Sequence, residues 1–144
     1  MIAVDTNILV YAHRTDAPFH SIARTLIDGL AQGAGAWAIP WPCAHEFLAV
    51  VTNVRIFKTP TPIDRAFAQL RALANSPGLV FLAESDGYLE RLAKVASSAK
   101  SRGGAIHDAR VAAICLHHGA SELWSADRDF SRFPDLRTRN PLAD

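Results

Sequence analysis

Strand-length runs alternate with longer segments of helical period along nearly the whole chain, and few folds accept that alternation. The runs are Met1–Val4, Trp37–Ile39, Leu79–Leu82, Glu122–Ser125 and Leu136–Arg139. Between the first two, Ile8–His13 reads as a short helical turn. Phe19–Gln32 reads as a helix with Phe19, Ile22, Ala23, Leu26, Ile27 and Leu30 on one face. Cys43–Asn53 turns Phe47, Val50 and Val51 inward. In the next helix Thr61 is the expected cap, Pro62 the first residue and Asp64 a first-turn acid, with Ile63, Ala66, Phe67, Leu70 and Leu73 as the apolar stripe. Ser85 is the expected cap of a helix over Asp86–Ser101 that buries Leu89, Leu92, Ala93 and Ala96. Ala105–His118 is the most apolar helix, stopped by Gly119, and Asp127–Phe133 reads as one further turn. Strands separated by helices cannot pair as hairpins, so the class is α/β with a parallel sheet.

The 144 residues read as a single domain, 1–144, without linker or repeat. Apolar residues make up 49% and charged residues 20%, a globular balance. No apolar run is long enough to span a bilayer, and the N-terminus lacks the pattern of a signal peptide. Cys43 and Cys115 lie in apolar segments and are expected to be reduced core residues, so a cytoplasmic, membrane-free setting is the expectation. Six histidines without zinc-ligand spacing argue against zinc. The phosphate loop, the dinucleotide fingerprint and the nucleophile elbow are all missing.

Four carboxylates do not fit this apolar frame. Asp5 ends the first run, at the sheet edge where open α/β folds place their ligands. Asp108 lies on the face of its helix that also carries Ala112 and Cys115, so it must be paired, hydrogen-bonded, protonated or bound to metal. A partner role toward Arg110 and a helix-start role compete with the functional reading. Glu46 sits early in an apolar helix, where a first-turn dipole partner is the alternative. Asp127 and Asp129 follow the fourth strand in Ser125-Ala126-Asp127-Arg128-Asp129-Phe130, a segment that also suits an Asp-rich turn capped by Ser125. If these groups converge they repel one another, and divalent cations relieve that repulsion. All-oxygen ligands select Mg²⁺ or Mn²⁺. Thr6, Asn7 and Ser125 are supporting polar residues or helix caps.

Net charge is +1, with 6 basic and 8 acidic side chains over residues 1–90 against 9 and 6 over 91–144. Neutralising Asp5, Glu46, Asp108 and Asp127 by metal moves the total from +1 to +5. That suits a polyanion, and scattered surface Lys and Arg account for it equally well. Lys100, Arg102 and Arg128 are the weak candidates for phosphate contacts.

The combination of Val4-Asp5-Thr6-Asn7, Glu46, Asp108-Ala109-Arg110-Val111-Ala112-Ala113, Ser125-Ala126-Asp127-Arg128-Asp129-Phe130 and Asn140-Pro141-Leu142 resembles the PIN-domain family. Within that family it resembles the VapC-type toxins of bacterial toxin–antitoxin pairs, and the likeness covers nearly the whole chain. Ser125 stands where the family often has Thr. The resemblance implies a Rossmann-like sheet of order 3-2-1-4-5 and a Mg²⁺- or Mn²⁺-dependent endoribonuclease acting on tRNA, rRNA or mRNA. It implies a homodimer and a cognate VapB-type antitoxin. It assigns catalysis and metal binding to Asp5, Glu46, Asp108 and Asp127, with Asp129 a fifth member of varying role. A non-catalytic PIN-like protein or RNA interaction module is the rival reading. An Asp-dependent phosphatase is weaker, because Asn7 stands where an acid would help and no phosphate-binding lysine is evident.

Overall fold

The computed structural model describes residues 1–143. Among them five strands form one parallel sheet of order β3-β2-β1-β4-β5, where β1 is Ile2–Val4, β2 Trp37–Pro40, β3 Leu79–Leu82, β4 Glu122–Trp124 and β5 Thr138–Arg139. Six helices connect them: α1 Thr6–His13, α2 His20–Gln32, α3 Trp41–Val51, α4 Ile63–Ala74, α5 Tyr88–Ser98 and α6 Ala105–His117. A short 3-10 helix, Arg128–Arg132, follows β4. This is the α/β architecture and strand order that the sequence implied.

β1 is central, paired with β2 on one side and β4 on the other, with Ala3 opposite Ala38 and Leu123. Strands covered on both faces by helices must be apolar throughout, and Ala3, Val4, Trp37, Ala38, Ile39 and Leu123 are all fully buried. The ladder runs one residue past β1, because the Asp5 N–H donates to the Trp124 carbonyl at 2.9 Å. On the next strand the Ser125 N–H donates to the Arg139 carbonyl, also at 2.9 Å. Asp5 and Ser125 are thereby held by backbone at the carboxyl edge of adjacent strands, where helices leave the sheet and the chain opens to ligand.

Several local expectations shift. α1 begins at Thr6, ahead of the expected Ile8, with Asp5 as its N-cap residue. Pro62 rather than Thr61 occupies the N-cap position of α4. The Thr61 hydroxyl is instead taken by His13 and Arg14, at 3.1 Å each. α5 starts at Tyr88, because Gly87 in the left-handed region (φ 84°) turns the chain there. Ser85 does not cap it and hydrogen-bonds with His117 Nε2 at 2.9 Å. The apolar stripes of α4 and α5 are also narrower than their periodicity suggests. Ile63 is 56% exposed, Phe67 41% and Leu89 73%, and Ala93 is exposed as well. Likewise Phe19 and Ile22, expected on the buried face of α2, are exposed. α4 packs on β3, itself an edge strand with Val80 exposed, while α5 packs on α6 and α2 on α1 rather than on the sheet. β5 is shorter than expected and exposed. Cys43 and Cys115 are buried and unbonded to each other.

Candidate metal centre

Four of the predicted carboxylates, Asp5, Glu46, Asp108 and Asp127, line one cavity of about 870 Å³ at the carboxyl edge of the sheet. Asp5 lies at its floor and is only 6% exposed. One carboxylate oxygen accepts the Ser125 hydroxyl at 2.7 Å, and the other accepts the Cys43 thiol at 3.4 Å. Burial raises the Asp5 pKa, while the Ser125, Thr6 backbone and Cys43 hydrogen bonds pull it down. Cys43 itself is buried among apolar neighbours and beside Asp5, which pushes its thiol far above the ordinary range. It stays protonated and serves as a donor, so it has no thiolate with which to attack.

Glu46 projects from the first turns of α3, where the Thr6 hydroxyl donates to its Oε2 at 3.0 Å. Asp108, near the start of α6, is half-buried. Its pKa is raised first by burial and then by Asp127, Asp129, Asp5 and Glu46. Asp108 therefore feels the charge of all four other acids. Asp108, Asp127 and Asp129 each offer a carboxylate oxygen, and the three oxygens lie within 4.8 Å of one another.

The loop after β4 is tied in place by small polar groups. Asn7 accepts the Ala126 N–H at 3.2 Å, and the Ser125 hydroxyl accepts the Asp127 N–H at 3.0 Å. Asp127 then accepts the Asp129 N–H at 2.8 Å, capping the 3-10 helix. Thr6, Asn7 and Ser125 thus hydrogen-bond to the acids or to the loop that carries them. A wholly oxygen donor set with accumulated negative charge fits a hard divalent cation.

Lys100 and Arg102 lie elsewhere, around a separate shallow depression at the end of α5. Arg128 is exposed and is not part of the cavity wall. Arg110 lines the cavity instead. It does not pair with Asp108; its Nε and Nη2 both reach Glu84 Oε1 at 2.9 Å. Sequence reasoning passed over Arg110 and Glu84 as site residues. The available signal was Glu84's position two residues past β3, at the same edge of the sheet as Asp5.

Buried strand ends carrying acids on a 3-2-1-4-5 parallel sheet define a PIN-type nuclease fold, and the PIN domain family model matches residues 2–136. The chain belongs to that family. Among curated proteins it is 38% identical to the VapC ribonuclease Mb2897 of Mycobacterium bovis, over 99% of this chain and 96% of that one. It is 32% identical to ribonuclease VapC48 of Mycobacterium tuberculosis, with 96% of each covered. Its fold matches the FitAB complex bound to a DNA fragment, with a TM-score of 0.72 at 19% identity, covering 99% of this chain and 96% of that chain. It also matches VapBC2 from Rickettsia felis bound to a promoter fragment, with a TM-score of 0.70 at 19% identity and coverage of 96% and 98%.

Proposed function

We propose that this protein is a VapC-type endoribonuclease toxin, dependent on Mg²⁺ or Mn²⁺, that hydrolyses RNA phosphodiester bonds. The observation that carries this reading is that Asp5, Glu46, Asp108 and Asp127 line one open cavity, with Asp129 within 4.8 Å of Asp108 and Asp127. The identity to VapC ribonucleases along nearly the full chain supports it. The one domain spans 1–144.

Asp5, Glu46, Asp108 and Asp127 are the proposed catalytic and metal-holding residues, with Asp129 joining through Asp108 and Asp127. When bound, the ion supplies Lewis acidity toward water and charge against the reacting phosphate. The chain's own residues supply order. Ser125 and Cys43 occupy both oxygens of Asp5 and fix its orientation. Thr6 aims Glu46, and Asn7 with Ser125 keeps Asp127 against Asp108. Asn7 stands where an acid would help, and no lysine is among the described residues lining the cavity, which counts against the phosphatase reading. A non-catalytic module leaves the clustered repulsion without a use.

The same family reading assigns a cytoplasmic setting, a VapB-type antitoxin as partner and a homodimer. No helix among the described residues is long and apolar enough to cross a membrane. Exposed Ile63 and Phe67, one turn apart on α4, offer apolar area for association. The test is incubation of the purified protein with total RNA and Mg²⁺ or Mn²⁺, beside an EDTA control and Asp5→Asn. Cleavage confined to the metal-loaded wild type is expected. Equal cleavage in every sample, or none with any RNA, contradicts the assignment.

A further inference from the structure

One wall of the cavity carries groups that metal chemistry leaves unused. His45, next to Glu46 on α3, is exposed and lines the cavity. Its ring stacks on Trp41 with centroids 5.8 Å apart and planes 27° apart. Trp41 in turn stacks on Phe81 of the edge strand at 4.3 Å and 16°. Trp37 and Trp124 are buried, whereas Trp41 is 38% exposed. Beside these rings, Arg110 is the one Lys or Arg among the described residues that line the cavity. Glu84 grips it with a single carboxylate oxygen. His45 and Arg110 line the same cavity, and Glu84 follows the strand that carries Phe81 by two residues. The rings, the guanidinium and the carboxylate therefore form one neighbourhood.

Trp41 and His45 are both exposed, and His45 carries the stack to the wall of the acidic cavity. Proteins hold unpaired nucleotides by this combination, with a flat ring for the base and a cation for the backbone. We infer that Trp41, His45 and Arg110 form a nucleotide subsite beside the carboxylates. An unpaired base of the RNA extends the Trp41–His45 stack, and Arg110 holds the adjoining phosphate. Glu84 acts as a positioning residue that keeps the guanidinium against the wall. The inference rests on the ribonuclease reading and assigns that enzyme's first contact with a base.

The test uses binding, so that it is read separately from cleavage. On an Asp108→Asn background, anisotropy of a fluorescein-labelled single-stranded RNA decamer is compared with that of a decamer of abasic ribose phosphates, both with Mn²⁺. The base-bearing decamer is expected to bind the parent at least about tenfold more tightly, in the range of one stacked base. His45→Ala removes most of that preference, and His45→Phe, which keeps a flat ring, restores it. Arg110→Gln weakens both decamers alike and flattens the salt dependence. Equal binding of the two decamers by the parent, or a preference untouched by His45→Ala, overturns the subsite even if wild-type protein cuts RNA. Base preference that follows the His45 series supports it even if cleavage fails, in which case only the nuclease reading falls. An intact preference in His45→Ala together with lost binding of an antitoxin peptide assigns the wall to a protein partner and overturns the proposal.

Discussion

Asp5 owes its position to one backbone bond and its orientation to two side chains. The N–H of Asp5 extends the ladder to Trp124, and Ser125 and Cys43 divide its carboxylate oxygens between them. Removing a group that orients a metal-holding residue commonly costs about 10–100-fold in metal affinity or activity. Ser125→Ala is therefore expected to fall in that range, with Ser125→Thr near wild type, measured as the Mn²⁺ concentration for half-maximal cleavage. Asp108 makes a second residue-level claim. Burial and then its acidic neighbours raise its pKa above the ordinary 3.8. An acid with a raised folded pKa holds its proton more tightly when folded. The folded state is therefore favoured at low pH and loses stability as pH climbs from 3.8 through the folded value. In EDTA the Tm should fall across that window, and Asp108→Asn should flatten the fall. Adding Mn²⁺ should restore stability at neutral pH. A pH profile identical in the variant would place the cause in another group.

Elements were legible where the apolar pattern was decisive and illegible where packing partners decided. β1 and β2 read correctly because they are buried apart from the partly covered Ile2, and α6 because its central run 111–115 is buried. α4 and α5 carry the same helical period, yet Ile63, Phe67 and Leu89 face water. Periodicity reports which residues share a face and says nothing of how much of that face the sheet covers. Caps failed for a related reason. Thr61 and Ser85 were good local caps, but His13, Arg14 and His117, distant in sequence, claimed their hydroxyls. The carboxylates were visible because an acid in an apolar segment is anomalous from sequence alone. Arg110 and Glu84 were not, because an exposed ion pair leaves no such anomaly. One glycine is also fixed by packing. A Cβ on Gly78 would collide with the Gly35 carbonyl, at the point where Trp37 donates its N–H to the Gly78 carbonyl at 2.9 Å. Gly78→Ala should cost about 1–3 kcal/mol in chemical denaturation, and an unchanged midpoint would mean that the turn relaxes freely.

At the scale of the whole molecule, a sheet of order 3-2-1-4-5 brings residues from opposite ends of the chain to one edge. Asp5 and Ser125 meet across 120 positions. The proposed homodimer is tested at this scale too. Ile63→Glu with Phe67→Glu should leave thermal stability within about 0.5 kcal/mol, as surface changes usually do, while shifting sedimentation from dimer toward monomer. A sedimentation profile unaffected by the pair would remove α4 from the interface. The most direct test of the account is metal-restored cleavage. Protein stripped with EDTA is titrated with Mn²⁺ while hydrolysis of a susceptible RNA is followed, in parallel with Asp108→Asn. The account predicts no cleavage before addition, saturable recovery in the wild type, and recovery in the variant reduced by at least about 100-fold, the upper end of losses from disturbing a metal site. Full cleavage by the stripped wild type, or equal recovery in the variant, would contradict it.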